Sequence, residues 1–188
     1  MKKKLIWIVA IIAVIVLLAC WAGGSYNTMA QLRNGVDESF GQVQVQYQRR
    51  ADLIPNLVET VKGYANYEES VLTAVTEARA GIANAETPAE LTEAGRKLDD
   101  AIGTINVVVE AYPELKANET YVSLMDELAG TENRIAAARQ DYNETVKTYN
   151  AAVITFPRNL LAGIFGFQKT AYFEADTAAQ TAPQVNFN

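Results

Sequence analysis

The run Leu5–Ala22, LIWIVAIIAVIVLLACWA, contains no charged residue and follows directly on Lys2, Lys3 and Lys4. As a helix it covers roughly 27 Å, close to the hydrocarbon thickness of a bilayer. Whatever follows it is therefore expected to be tethered to a membrane, or released from one. Leu5, Trp7, Ile12, Leu17 and Trp21 represent the anchor. Three lysines and the terminal amine stand on one side, and Arg33 is the first charged residue on the other. The positive-inside rule then places Met1 in the cytoplasm and the bulk of the chain outside it. Two rival readings stand beside an uncut span. A cleaved secretory signal needs a small-x-small site, which Ala19-Cys20-Trp21 does not offer well. Leu17-Leu18-Ala19-Cys20 resembles a bacterial lipobox, with an uncommon Leu in second place, and makes Cys20 a lipidation candidate. The uncut span is preferred.

The rest of the chain has room for one soluble domain with a real core. The whole sequence has a net charge of −6, and the part beyond the three leading lysines is more acidic still. An acidic domain is a poor partner for nucleic acid, whose binding is dominated by phosphate neutralisation. An anionic membrane surface would repel it too, so any contact with a bilayer has to be apolar. One cysteine excludes an intrachain disulfide and a thiolate metal cluster. The chain has no histidine at all.

Beyond residue 25 the apolar residues recur at threes and fours, which predicts helices throughout. Gly23-Gly24 is expected to break the run after the anchor. A first amphipathic helix carries Met29, Leu32, Val36, Phe40, Val43 and Tyr47. Arg49-Arg50-Ala51-Asp52 offers a turn, with Asp52 as a cap and Pro55 in the first turn of a second helix over 53–84. One continuous kinked helix is the alternative. Thr87-Pro88-Ala89-Glu90 is a capping box with proline at the first helical position. It opens a third helix with Leu91, Leu98, Ile105 and Tyr112 at sevens, stopped by Pro113. Asn118 opens the fourth and longest. There Tyr121, Leu128, Ile135, Tyr142, Tyr149 and Phe156 recur at sevens, interleaved with Met125, Glu132, Arg139, Val146 and Val153, up to Pro157. Glycines 35, 41, 63, 95, 103 and 130 fall inside these helices. They either permit close helix contact or merely cost helix propensity. The expected fold class is all-α: an N-terminal transmembrane helix (1–24), an antiparallel up-down bundle of about four long helices (25–173), and a loosely ordered tail (174–188).

Several strings together resemble the bacterial LemA family. They are YNTMAQLRNGVDESF at Tyr26–Phe40, RRADLIPNLVETVKGY at Arg49–Tyr64, VVEAYPELKANETY at Val108–Tyr121 and TENRIAAARQDYNETVKTYN at Thr131–Asn150. FPRNLLAGIFGF at Phe156–Phe167, YFEA at Tyr172–Ala175 and APQVNF at Ala182–Phe187 complete the set in family order. Ala137 stands where an aromatic residue is often seen. The resemblance implies a single N-terminal anchor, an antiparallel helical bundle and no established enzyme activity. It also implies a link to membrane organisation, and the bacterial cytoplasmic (inner) membrane as location, single-pass, with a lipid anchor as the alternative.

Metal catalysis in helical bundles combines carboxylates with Glu-x-x-His pairs, which cannot be built without histidine. One carboxylate set is worth weighing. Counting along an alternating bundle places Asp37, Glu68 and Glu132 at similar height, as a divalent-cation site or as a polar layer neutralised by Arg139, Arg79 or Arg134. The serines have no histidine to activate them, and none begins a Ser-x-x-Lys pair. Gly163 to Thr170 does not have the spacing of a phosphate loop. Arg49, Arg50 and Asp52 bind a partner or, in the preferred reading, hold a salt-bridged turn at the bundle end. If the helices alternate, Phe156 returns beside Tyr26, next to the bilayer. Leu160, Leu161, Ile164, Phe165 and Phe167, flanked by Arg158 and Lys169, then meet lipid, line a subunit contact or plug the bundle end. The composite expectation is a non-enzymatic scaffold without cofactors. Its partners are the bilayer and either further copies of itself or other envelope proteins. A ligand-binding lipoprotein with a pocket inside the bundle is one alternative class; a metal-dependent enzyme is the other.

Overall fold

A computed structural model describes residues 2–62 and 69–174. Among them are six helices and no strand: α1 (Lys2–Lys62), α2 (Glu69–Asn84), α3 (Pro88–Glu110), α4 (Pro113–Lys116), α5 (Glu119–Ile154) and α6 (Arg158–Phe165). The all-α bundle expected from the periodicity is what the chain forms. Gly63, Glu68 and the tail beyond Glu174 fall outside the described residues, as do the ends of two of the family-like strings.

The first boundaries need correction. α1 runs unbroken through Gly23-Gly24, through Arg49–Asp52 and past Pro55. Each glycine costs about 1 kcal/mol of helix propensity and an internal proline about 3. Against this stands a continuous buried stripe of Met29, Val36, Val43, Tyr47, Ala51, Ile54, Leu57, Val58 and Val61. Burying one such large side chain contributes about 1.5–3 kcal/mol, so the stripe outweighs the local breakers. Asp52 caps nothing. It pairs with Arg79 of α2 at 2.7 Å, and Gln48 donates to it from four residues earlier. The chain reverses between Lys62 and Glu69, not at 49–52.

The reading of α3 holds as far as Val109; the helix ends at Glu110, so Tyr112 lies beyond it and Pro113 opens α4. Thr87 Oγ1 accepts from the Glu90 N–H, and Glu90 Oε2 accepts from the Thr87 and Glu86 N–H groups. These donors, the Glu86 N–H foremost, hold the Glu90 carboxyl below its ordinary range. Leu91, Leu98, Ile102, Ile105 and Val109 form its buried face. Asn118 caps α5 by accepting from the N–H groups of Thr120 and Tyr121. Leu128, Ile135, Tyr142, Val146, Tyr149 and Val153 are buried along α5. Two seam positions differ from expectation. Phe156 lies beyond the helix end and is exposed, and Thr131 is buried where Glu132 stands outside.

Contacts group the residues into two compact units. One holds residues up to 40 with 144–170. In it α1 and α5 run antiparallel: Gly35 meets Thr145, and Arg33 stacks on Tyr149. The other unit holds 41–143 with the residues from 171. Here Gln44 donates to the Ile82 and Ala85 carbonyls while Asp52 meets Arg79, so α2 runs against α1. Tyr121 donates to Asn106 while Arg50 joins Asp99 to Glu132, so α5 runs against α3. Directions therefore alternate as expected, because moving the first reversal leaves the number of reversals unchanged.

Candidate functional site

Arg50 is the centre of the second unit. It sits one turn beyond Tyr47 on α1, and only 12% of its side chain is accessible. Its guanidinium donates to Asp99 of α3 at 2.7 Å and to Glu132 of α5, so one residue joins three helices. Its Nε is buried without a hydrogen-bond partner. Partial burial raises the Asp99 carboxyl above its ordinary value, and the charges of Glu132 and Asp100 add to this against the pull of Arg50. Burial likewise raises the Tyr47 hydroxyl.

These residues line a groove of about 610 Å³ whose other walls include Arg96, Arg139 and Tyr172. Arg96 pairs with Glu93 and Asp100 along its own helix. Arg139 lies over the Phe173 ring at 5.1 Å and donates to the Glu174 carbonyl. Arg50 and Arg96 are thus engaged with carboxylates and Arg139 with a ring and a carbonyl, and the Arg50 arrangement is a clasp between helices. No side chain in it forms a nucleophile–base pair.

The floor of the groove depends on a glycine. A Cβ built on Gly95 would lie 2.3 Å from a ring carbon of Tyr47, whereas one on Gly103 meets nothing within 4 Å. Gly95→Ala is expected to lower stability by about 1 kcal/mol, because overpacking exceeds the gain in helix propensity. Gly103→Ala should raise it by roughly 0.5–1 kcal/mol. Thermal melting of the two variants side by side checks both signs.

An extended strap was missed in the sequence, and its Ala171, Tyr172 and Glu174 line the groove within the second unit. Asn150 exchanges two hydrogen bonds with the backbone of Thr170, and Asn143 two with that of Phe173. The Tyr142 hydroxyl donates to the Ala171 carbonyl at 3.0 Å. The available signal was two asparagines seven apart on the buried side of a helix, where polar amides demand partners.

The other sequence candidates are placed as follows. Leu5, Trp7, Ile12, Leu17 and Trp21 are exposed on the apolar part of α1, as is Cys20. That part has the length and composition to cross a membrane. Asp37 pairs with Arg33, and Glu132 with Arg50 and with none of Arg139, Arg79 or Arg134. Glu68 lies outside the described residues, among which no group of three His, Cys, Asp or Glu is placed to hold a metal ion. Arg49 is exposed, and with Arg50 and Asp52 it belongs to a helix interior, which corrects the turn. In the first unit Phe165 and Phe167 pack edge-on against Tyr26 at 5.0 and 5.5 Å. Leu161 is half-buried, while Leu160 and Ile164 are exposed.

The sequence is similar to several known proteins. Magnetosome protein MamQ 2 of Paramagnetospirillum magneticum is 29% identical over 182 residues, covering 83% of this chain and 67% of that protein. Magnetosome protein MamQ of Magnetospirillum gryphiswaldense is 27% identical, covering 85% of this chain and 70% of its own length. Protein LemA of Metamycoplasma hominis is 26% identical over 156 residues, covering 81% and 70%. The profile of the LemA family matches residues 39–187, the greater part of the sequence, and the chain belongs to the LemA family.

Proposed function

We propose that this protein is a non-enzymatic scaffold anchored in the bacterial cytoplasmic membrane. Its N-terminus lies inside, its bundle outside, and it acts by binding further copies of itself or other envelope proteins. The observation that carries this reading is the continuity of α1. The apolar segment that can cross a bilayer and the first packed residues, Met29 and Val36, belong to one uninterrupted helix. A helix transmits position, whereas a flexible linker would not. The lysine cluster before the span supports the orientation. The absence of histidine from the sequence and the mutual pairing of the groove charges support binding over catalysis.

Fractionation of cells under alkaline extraction tests the anchor, and labelling of Glu127→Cys, in a Cys20→Ser background, by a membrane-impermeant maleimide tests the side. We expect the chain to stay in the membrane pellet and position 127 to react in intact spheroplasts. Recovery of a soluble chain shortened by its first twenty or so residues would overturn the anchor, and protection of position 127 the orientation. A strictly monomeric mass in detergent, at every concentration, would remove the self-association.

A further inference from the structure

α6 is divided lengthwise. Ala162 is buried, Leu161 and Phe167 are half-buried, and Phe165 and Phe167 rest on Tyr26. Gly166, in the left-handed region at φ 77°, ends the helix, and the Phe167 N–H returns to the Ala162 carbonyl. On the other side, Phe156, just before the helix, is 75% accessible, Leu160 60% and Ile164 76%. Three large apolar side chains at such exposure on one short segment mark a surface that meets something other than water.

Where that surface lies decides what it meets. Tyr26, which carries α6, stands five residues past Trp21 on an unbroken helix, about 7.5 Å along its axis. The polar interfacial layer beyond the hydrocarbon is roughly 5–8 Å deep on each side. We infer that Phe156 and α6 form an interfacial segment, with Phe156, Leu160 and Ile164 inserted into the outer leaflet of the bilayer that α1 crosses. This rests on the anchored reading above. Arg158 and Lys169 bracket the segment, and their stems can lie on apolar surface while their charges reach lipid phosphates. The acidic remainder of the chain gives no attraction to anionic lipid, so insertion is driven by apolar burial and needs only zwitterionic phospholipid.

The test uses the full chain with Cys20→Ser, reconstituted into phosphatidylcholine vesicles. Nitroxide labels go, one at a time, on Ile12→Cys, Ile164→Cys and Glu127→Cys. Collisions with oxygen and with a water-soluble nickel chelate are compared. Position 12 should strongly favour oxygen, 164 should favour it at shallower depth, and 127 should favour nickel. Nickel preference at 164 with oxygen preference at 12 would overturn this inference and leave the anchor standing. Nickel preference at 12 as well would overturn both. A label at 164 shielded from both reagents and broadened by a second label would assign the face to another copy and overturn the lipid assignment. Adding Phe156→Ser and Leu160→Ser should shift 164 toward nickel at an unchanged melting temperature. A lowered melting temperature would show that these residues plug the bundle, and would overturn the inference.

Discussion

Replacing Phe173 by alanine is expected to lower stability by about 3 kcal/mol, a fall of roughly 6–12 °C in melting temperature. The ring is buried, edge-on to Tyr142 at 5.0 Å and beneath the Arg139 guanidinium. Its loss removes apolar burial together with an aromatic pair and a cation–π contact. The strap should then open locally. Its Phe173 N–H, which donates to Asn143 Oδ1 at 2.8 Å, is expected to lose protection in hydrogen exchange, while the α2–α3 pair keeps its own. Asn143→Asp is the sharper companion. An amide side chain both accepts from a backbone N–H and donates to the carbonyl of the same residue, which an ionised carboxylate cannot do. Aspartate keeps the first bond with Phe173 and loses the second, so a cost of about 1–2 kcal/mol is expected. Unchanged exchange at position 173 in the alanine variant, or unchanged stability in Asn143→Asp, would contradict the role given to the strap.

Arg50→Met should cost about 2 kcal/mol, since it removes charged hydrogen bonds to two helices at once while keeping the packing of the stem. The figure stays below that for a fully buried pair, because Asp99 and Glu132 are each about half accessible and recover hydration. The pH dependence has a definite sign. The Asp99 carboxyl already lies above its ordinary 3.8 in the parent, and it rises further once the guanidinium is gone. A carboxyl raised by folding favours the fold at low pH, and that contribution is lost as pH climbs through the raised value. The gap between variant and parent should therefore be widest near neutrality and narrow as pH falls toward the Asp99 value. Denaturant unfolding across that range checks it. A gap that widens on acidification would show that Asp99 and Glu132 do not repel one another here.

Much of this was readable in the chain. The apolar run marked a helix long enough to cross a membrane. The heptad recurrence of Leu91, Leu98 and Ile105, and of Leu128, Ile135, Tyr142 and Tyr149, marked the buried faces. Thr87, Pro88, Glu90 and Asn118 marked two helix starts, because a cap is settled by neighbours three or four residues away. Local rules failed at Gly23-Gly24 and at Arg49–Pro55. At Arg49–Pro55 the packing of the stripe from Met29 to Val61 overrode the local turn signals, and the helix also continues through Gly23-Gly24. At Gly95 the close-contact alternative holds, and its partner, a tyrosine ring from another helix, was not visible in the sequence.

What the sequence determined by itself, then, was the helical class, the long apolar segment and most of the buried faces. These follow from periodicity and from hydrogen bonds closed within one turn. Only the tertiary structure decided which charges meet, that Arg50 serves both Asp99 and Glu132, that Asn143 and Asn150 hold an extended strap, and that α6 leans on Tyr26. Those are encounters between residues twenty to more than a hundred positions apart. Their partners are chosen by shape and by the need of buried polar groups for a bond, which no window along the chain contains.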